Sequence, residues 1–479
     1  MEEKNMQLVY NVSDKPKFRQ LIVFAIQQLL AIMAATIAVP SMVGHGLTPA
    51  AALFGAGCGT IVYLVFTKFK SPVFLGSSFA FIPSMAAAFA GGVSMQLGYF
   101  GLILGAVFAG LVYVIIALVV KFAGTAWIPK LMPAVVIGPT VAIIGISLSG
   151  DAVGKFFNYA GNYSDDVGAY IMDTRSLLCL LCALVTLAVT MLFATYGKKM
   201  MKLIPFVLGI LAGYIVAAIL TLIGKGVGND AMQIINFDVF KDCGVFALPN
   251  FTFLEGFKSF SEIRAPYIAS IAVAYIPVAF VVFAEHLADH KNLSSILEKD
   301  LTQDPGLDKT LLGDGVGSMV GAFFGGCPNT TYGESIGCVA ITGNASVLSI
   351  LYAAILAIVV AFVDPFVCFL NSIPACVMGG VCMALYGFIA VSGLKMLQPV
   401  DLGDNKNLFT VSVILIAGVG NLALAFGVGG QFVTLRTVAV ALILGILTHL
   451  MLSRKCKKEE TAEKETPEEA PQEETDNKE

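Results

Sequence analysis

Charged residues are scarce in this chain of 479 residues. Asp, Glu, Lys and Arg make up only 13% of it, whereas an average soluble domain has about 25%. Hydrophobic residues make up 57%, and a soluble fold could not bury so much apolar surface. Apolar runs of roughly 20 residues recur along nearly the whole length, as a hydrocarbon core about 30 Å thick requires. The sequence therefore predicts an all-α polytopic membrane protein.

Several chemical signatures are missing as well. The four histidines do not combine with cysteines or acids at metal-ligand spacing, and no nucleophile-base motif is evident. No Lys/Arg-dense face with interleaved aromatics occurs, as nucleic-acid binding would require. The ten cysteines lie mostly in apolar runs, and the Cys179-Leu-Leu-Cys182 spacing lacks His or carboxylate partners, which indicates packing. We therefore expect no enzyme activity, cofactor, metal or nucleic-acid partner.

Hydropathy and Gly/Pro punctuation divide the chain into fourteen predicted spans, or twelve to fourteen if some are half-helices. They lie near 20–40, 48–68, 72–90, 98–121, 131–149, 175–196, 203–223, 266–288, 310–326, 329–344, 346–366, 373–393, 408–427 and 432–452. Lys and Arg concentrate in alternate loops and after the last span. Because positive residues are retained in the cytoplasm, this pattern places both termini there.

The predicted spans form two halves of seven, separated by a long segment at about 224–262. The third span of each half is interrupted by Gly, Pro and small polar residues, at 71–83 and 325–337. An odd number of spans per half inverts the second half, so the two interruptions approach the bilayer midplane from opposite faces. Paired interruptions indicate a transporter's binding site, since broken backbone at that depth must be buried in protein or line a cavity. The alternative is that these glycines only ease helix packing.

Acidic residues inside the apolar spans of the second half are candidate site residues by default, because they are costly in a membrane. Glu285, Glu334 and Asp314 are such residues, and Asp289 shares a helical face with Glu285. A proton that binds Glu285 or Glu334 in one access state and leaves in the other would couple uptake to a proton gradient. The alternatives are a structural Glu285 paired with Gln28 or the backbone, and a capping or supporting role for Asp314.

The residues around Glu334 predict a pocket for a flat ligand. Thr331 supplies a hydroxyl, Tyr332 an aromatic wall, and Gly333 allows close approach to the backbone. In the opposing segment, Ser78 and Phe79 could offer free backbone N–H groups where the helix is broken. Carboxylates would accept from ligand N–H groups and backbone amides would donate to ligand carbonyls. A pyrimidinedione such as uracil has this edge pattern.

At these motifs the chain resembles the nucleobase-ascorbate transporter (nucleobase:cation symporter-2) family, in its bacterial uracil-transporting branch, from about residue 18 to 450. The resemblance rests on Leu75-Gly-Ser-Ser-Phe-Ala-Phe81, Ala284-Glu-His286, Asp304-Pro-Gly-Leu307 and Pro328-Asn-Thr-Thr-Tyr-Gly-Glu334. It implies two inverted seven-span repeats with short antiparallel strands in spans 3 and 10. It also implies a homodimer in the bacterial inner membrane that moves a nucleobase, with a proton, by an elevator-like shift of a core domain against a gate domain.

The resemblance also assigns roles to particular residues. Glu285 and Glu334 match the family's two substrate-binding glutamates, and Gly333 matches the neighbouring backbone contact. Phe79 matches the position whose main-chain amide faces a base carbonyl, and Tyr332 the aromatic before the glycine. Glu285 and Asp289 are the proton-coupling candidates, while Gln28, Asp314, Ser78 and Thr331 are secondary candidates for the site.

Two departures from the family pattern keep a second substrate class open. Gln27-Gln28 stands where uracil carriers have Gln-His, and Asp289 stands where they have histidine. Asp289 and Asp314 are reminiscent of xanthine and urate carriers, although those usually lack the glutamate at 334. Uracil is therefore the first expectation and a purine such as xanthine the second. Two further classes stay open, an anion transporter of related architecture and a membrane enzyme or sensor.

The spans and the resemblance together give the expected domain boundaries. These are a cytoplasmic N-terminus (1–19), a core domain (20–130 and 266–366), a gate domain (131–223 and 367–453), an extracytoplasmic loop (224–265) and a disordered acidic cytoplasmic tail (454–479).

Overall fold

The computed structural model describes residues 8–157, 163–198, 200–241, 243–428 and 431–463, and they are mainly helical. The helices up to the long central loop are α1 (Phe18–Val43), α2 (Pro49–Phe66), α3 (Ile82–Ala88), α4 (Met95–Ala123), α5 (Ile128–Leu131), α6 (Ala134–Ser147), α7 (Ser149–Phe156), α8 (Thr174–Tyr196), α9 (Met200–Leu203) and α10 (Pro205–Val227). The remaining helices are α11 (Thr252–Gly256), α12 (Ala265–Leu297), α13 (Leu307–Gly325), α14 (Gly333–Thr342), α15 (Val347–Val360), α16 (Asp364–Ser372), α17 (Ala375–Lys395), α18 (Asn405–Val419) and α19 (Thr437–Glu463). Three two-stranded antiparallel sheets pair β1 (Leu75–Ser77) with β4 (Asn329–Thr331), β2 (Tyr163–Ser164) with β3 (Ala169–Tyr170), and β5 (Leu424–Val428) with β6 (Gln431–Leu435).

Eight helical segments among the described residues are long and apolar enough to cross a membrane. They are α1, α2, α4, α6 continued by α7, α8, α10, α12 and α17. Shorter apolar helices comprise α3 with the 3₁₀ turn before it, α15, α18 and the first part of α19. The chain is thus a multi-pass membrane protein, and the count of fourteen spans stays a prediction.

The two predicted interruptions are the strands β1 and β4, which pair with each other. Leu75 faces Thr331 and Ser77 faces Asn329 in the antiparallel register. The ladder is extended by the Ser78 N–H, which donates to the Pro328 carbonyl at 2.8 Å. Each strand leads into a short helix, and all the residues of both strands are buried. The short antiparallel strands that the resemblance implied are therefore present.

The turn that ends α13 explains where β4 begins. Gly326 terminates this helix with a φ of 72°, a left-handed conformation in which glycine carries no steric penalty. Its N–H donates to the Ala322 carbonyl at 2.9 Å, and Pro328 then prevents a return to helix. The chain enters β4 immediately afterwards.

The helices pack into two groups. The first group comprises α1–α4 and α12–α15, and the second comprises α6–α8, α10 and α17–α19; most close helix contacts fall within one group. In the first group α2 and α13 approach closely at facing glycines, since a Cβ on Gly55 would lie 2.5 Å from the Gly321 carbonyl oxygen. Small residues let membrane helices approach in this way.

Several predicted boundaries differ from the structure. In the thirteenth predicted span (408–427), helix α18 ends at Val419 and strand β5 follows, and the fourteenth (432–452) begins in strand β6. The eighth predicted span stops at 288, whereas α12 continues to Leu297, because helical hydrogen bonding persists after hydropathy falls. The predicted disordered tail starts at 454, whereas α19 runs to Glu463. The rest of that predicted tail, 464–479, lies outside the described residues.

Candidate functional site

A cavity of about 460 Å³ lies between the two groups of helices, within the range of small-molecule sites. The first group contributes Phe79, Glu285, Ala288, Asp289, Thr330, Thr331, Tyr332, Gly333 and Glu334. The second group contributes Val141, Phe206, Leu385, Phe388, Ile389, Val391, Ser392, Lys395 and Met396. The first wall therefore carries the acids and the interrupted backbone, while the second is largely apolar. The resemblance assigned five residues to substrate binding, and all five of them line this cavity.

Helix α12 brings two acids to the cavity. Glu285 and Asp289 are four residues apart, which places them on one helical face, and both side chains are half-buried. The Thr331 hydroxyl donates to Asp289 Oδ2 at 2.8 Å. A Cβ on Gly333 would lie 3.9 Å from Asp289 Oδ1. Asp289 is thus fixed to β4 through one oxygen, while its other oxygen faces the start of α14.

The start of α14 supplies both an acid and backbone donors. Gly333 and Glu334 are its first two residues, and Phe79 is the first residue of the 3₁₀ turn after β1. First-turn N–H groups have no intrahelical acceptor, so they are available to a ligand. A carboxylate in the first turn also interacts favourably with the helix dipole. Hydrogen-bond acceptors and donors therefore converge where the two interrupted segments meet.

Tyr332 lines the cavity, but its side chain mainly contacts strand β1. Its hydroxyl donates to the Ser77 carbonyl at 2.7 Å, and its ring covers Gly76, where any Cβ would clash with it. The side chain is 4% exposed. The aromatic wall expected from the sequence is therefore locked against β1.

The other face of α12 holds a buried polar network. His286 Nδ1 lies 2.7 Å from Asp314 Oδ2, and its Nε2 lies 3.1 Å from the Thr310 hydroxyl. His290 Nε2 lies 2.8 Å from the Tyr63 hydroxyl. The structure thus places Asp314 in this network, outside the cavity lining. Neither histidine is among the residues that line the cavity.

Two further secondary candidates, Gln28 and Ser78, are not among the residues that line the cavity. The Gln28 side-chain amide donates to the Ser335 carbonyl at 3.3 Å, so it contacts the first turns of α14 rather than Glu285. Ser78 is 1% exposed and extends the β1–β4 ladder through its backbone N–H. Thr331, in contrast, reaches Asp289 at the cavity.

The residues that sequence reasoning missed form the apolar wall. Phe206 and Phe388 belong to helices whose predicted spans carry no interruption and no acid. Apolar residues that face a cavity resemble those that face lipid, so nothing in the sequence distinguishes them. Only Lys395, at the end of α17, stands out by its charge.

The cavity follows the C-terminal half of α17 towards Lys395, which is exposed. Higher on the same helix, the Tyr386 ring meets the Phe79 ring edge to face, with centroids 5.7 Å apart. This aromatic contact joins the two groups of helices at one end of the cavity. Lys395 lies nine residues after Tyr386, at the end of the same helix.

Comparison with known proteins gives consistent matches. The family model described as "Permease family" (Xan_ur_permease) matches residues 19–426. The uracil permease of Bacillus caldolyticus is 38% identical over 448 residues, covering 93% of this chain and 94% of that protein. The uracil permease of Bacillus subtilis (strain 168) is 37% identical over 466 residues, covering 97% and 98%. These relatives are named as permeases and not as enzymes.

A solved membrane protein has the same fold. The transmembrane domain of a cyanobacterium bicarbonate transporter, BicA, superposes with a TM-score of 0.59 and 15% sequence identity. The match covers 92% of this chain and 100% of that one. At this identity the likeness concerns the fold alone.

Proposed function

We propose, from the premise that this chain belongs to the permease family (Xan_ur_permease), that it imports uracil together with a proton. The observation that carries the substrate proposal is the cavity wall, which combines Glu285, Asp289 and Glu334 with the free helix starts at Phe79 and Gly333. Uracil presents N–H donors and C=O acceptors along one planar edge, so acids and backbone amides can satisfy both. The names of the relatives support the same base.

Proton coupling is proposed for the pair Glu285 and Asp289. Both carboxyl groups stand on one face of α12 and border the cavity, as Glu334 also does. Three carboxylates around one small space repel each other, and binding a proton relieves part of that repulsion. Uptake of the neutral base with a proton would then follow the proton gradient.

The movement we propose is an elevator-like shift of the first group of helices, the core, against the second group, the gate. Its support is the division of the cavity, because all the acids and the interrupted backbone lie on the first group. In this proposal fourteen spans form two inverted repeats in the bacterial inner membrane, with both termini cytoplasmic and Lys395 at the cytoplasmic mouth. The homodimer rests on the family resemblance.

A purine such as xanthine is the alternative substrate, since Asp289 replaces the histidine of uracil carriers. An anion is disfavoured, although the solved protein of like fold is a bicarbonate transporter, because three acids border the cavity.

The test is uptake of labelled uracil by purified protein in proteoliposomes. We expect accumulation that rises with an inward proton gradient and is blocked by excess uracil but little affected by xanthine or bicarbonate. Equal uptake with and without the gradient would refute the coupling. Stronger competition by xanthine would reassign the substrate while leaving the permease itself intact.

A further inference from the structure

Away from the cavity, the long loop between α10 and α12 is held against the segment that leads into α16. The Ala247 N–H donates to the Phe362 carbonyl at 3.0 Å, and the Asp364 N–H donates to the Val245 carbonyl at 3.3 Å. The Phe246 ring stacks on Phe362 with centroids 5.2 Å apart and planes 7° from parallel. Backbone bonds and aromatic stacking therefore fix this junction independently of any thiol chemistry.

The junction brings two cysteines and an acid together. The potential ligand atoms are the sulfur atoms of Cys243 and Cys368 and a carboxylate oxygen of Asp364. These three atoms all lie within 4.8 Å of one another. Asp364 and Cys368 are four residues apart in α16, so they share a helical face, and Cys243 comes from the loop. The two cysteines are far apart in sequence, which is why no spacing motif reveals them.

The acid is already oriented for a ligand role. The Gly244 N–H donates to Asp364 Oδ2 at 2.5 Å, and the Cys368 thiol donates to Oδ1 at 3.5 Å. A backbone donor on one carboxylate oxygen leaves the other in contact with the Cys368 thiol. In metal sites, hydrogen bonds from neighbouring groups orient the residues that bind the metal in the same way.

We propose that Cys243, Asp364 and Cys368 form a binding site for a soft divalent cation such as Zn²⁺. Thiolates and a carboxylate are established zinc ligands, and three protein ligands leave a fourth position for water. Two thiolates also favour Zn²⁺ or Cd²⁺ over Mg²⁺ or Ca²⁺, which prefer oxygen. Cys243 is half-buried, so an ion can reach it.

A disulfide between the cysteines is the competing interpretation. It would make no use of Asp364, whose carboxylate stands between the backbone amide and the Cys368 thiol. The metal uses all three groups and compensates the carboxylate's charge. The geometry therefore favours the ion.

The site would join two connections between the groups of helices. Residues 228–264 connect α10 of the second group to α12 of the first, and residues 361–374 connect α15 of the first to α17 of the second. An ion would add a further link between these two connections, beyond their backbone bonds and aromatic stacking. If the proposed function is correct, metal binding should slow transport by restraining movement between the groups. Only this consequence rests on the proposed function; metal binding itself does not.

The experiment uses purified, reduced, chelator-treated full-length protein and Cd²⁺ as the probe. We expect thiolate-to-metal charge-transfer absorbance that saturates at one ion per chain and is reversed by Zn²⁺. Cys243→Ser and Cys368→Ser should each remove it, whereas the control Cys58→Ser, a half-buried cysteine outside the cluster, should retain it. Unchanged binding in both cluster variants would overturn the proposal, as would no binding by the unmodified chain.

A thiol count on denatured, never-reduced protein addresses the disulfide. If two thiols are missing in the unmodified chain and Cys243→Ser removes that loss, the cysteines are oxidised to each other and the metal proposal is wrong. A full thiol count supports it. Because Cd²⁺ binding is measured without transport, failure of the uracil proposal would leave this result interpretable. Elution as a single species by size exclusion shows that each variant is folded.

Discussion

Replacing Glu334 with glutamine tests the ligand-binding role of the cavity most directly. Glu334 is the second residue of α14, and its half-buried side chain borders the cavity. Glutamine has nearly the same shape but presents an NH₂ donor where the carboxylate only accepts. If Glu334 accepts from a uracil N–H, the variant either faces that donor with another donor or binds through a neutral oxygen.

The size of the effect follows from the charge on the acceptor. A hydrogen bond to a charged group contributes about 1.5–3 kcal/mol. At about 1.4 kcal/mol per tenfold change in affinity, losing it weakens binding about 10-fold to 150-fold. Helix α14 itself should persist, since glutamine and glutamate have similar helix propensities.

The assay is isothermal titration or a thermal-shift series with uracil on purified protein. Glu298→Gln is the matched control, because Glu298 is exposed at the end of α12 and lies outside the cavity lining. We expect the control to bind as the unmodified chain does. If Glu334→Gln also binds uracil within about twofold of the unmodified chain, Glu334 does not contact the ligand and the proposed pose is wrong.

Further predictions concern coupling and packing. Glu285→Gln should abolish proton-driven accumulation at least as strongly as Glu334→Gln does, measured in proteoliposomes; intact accumulation would remove Glu285 from the proton path. Thr331→Val should weaken uracil binding, measured by titration, because Asp289 loses its 2.8 Å donor and is free to turn from the cavity; equal affinity would show that this bond is dispensable. Gly321→Ala should destabilise the protein by about 1–3 kcal/mol in thermal unfolding, since its Cβ would overlap the Asn329 side chain. Gly337→Ala, with nothing within 4 Å of its Cβ, is the control, and an equal effect there would contradict the packing argument.

Sequence reasoning found the polar half of the candidate site for a physical reason. A carboxylate inside an apolar span is expensive, so Glu285 and Glu334 were visible by position alone. Gly and Pro within a span break helical hydrogen bonding, which marked the segments that became β1 and β4. The short antiparallel strands came only from the resemblance, and the pairing of Leu75 with Thr331 was not predicted, because two residues so distant in sequence share no local signal.

The neighbours that individual side chains contact could not be predicted from the sequence. Asp314 is as conspicuous in the sequence as Glu285, yet it pairs with His286 outside the cavity lining. Helical periodicity assigns a residue to a face but does not say which neighbour covers that face. Tyr332 illustrates the same limit, since its hydroxyl binds Ser77 and its ring covers Gly76. The cluster of Cys243, Asp364 and Cys368 also depends on tertiary contact alone.

The two walls of the cavity differ in polarity, which explains why only the polar wall could be predicted from the sequence. The same difference bears on the mechanism. Every acid that borders the cavity belongs to the first group of helices, while the second offers mainly apolar surface, such as Phe206 and Phe388. A ligand's hydrogen bonds would therefore stay with one group as the other slides past. Apolar contacts lack direction, so such sliding exchanges them without leaving a buried donor unpaired. This argument favours a shift of whole groups over rearrangement of the polar residues around the base.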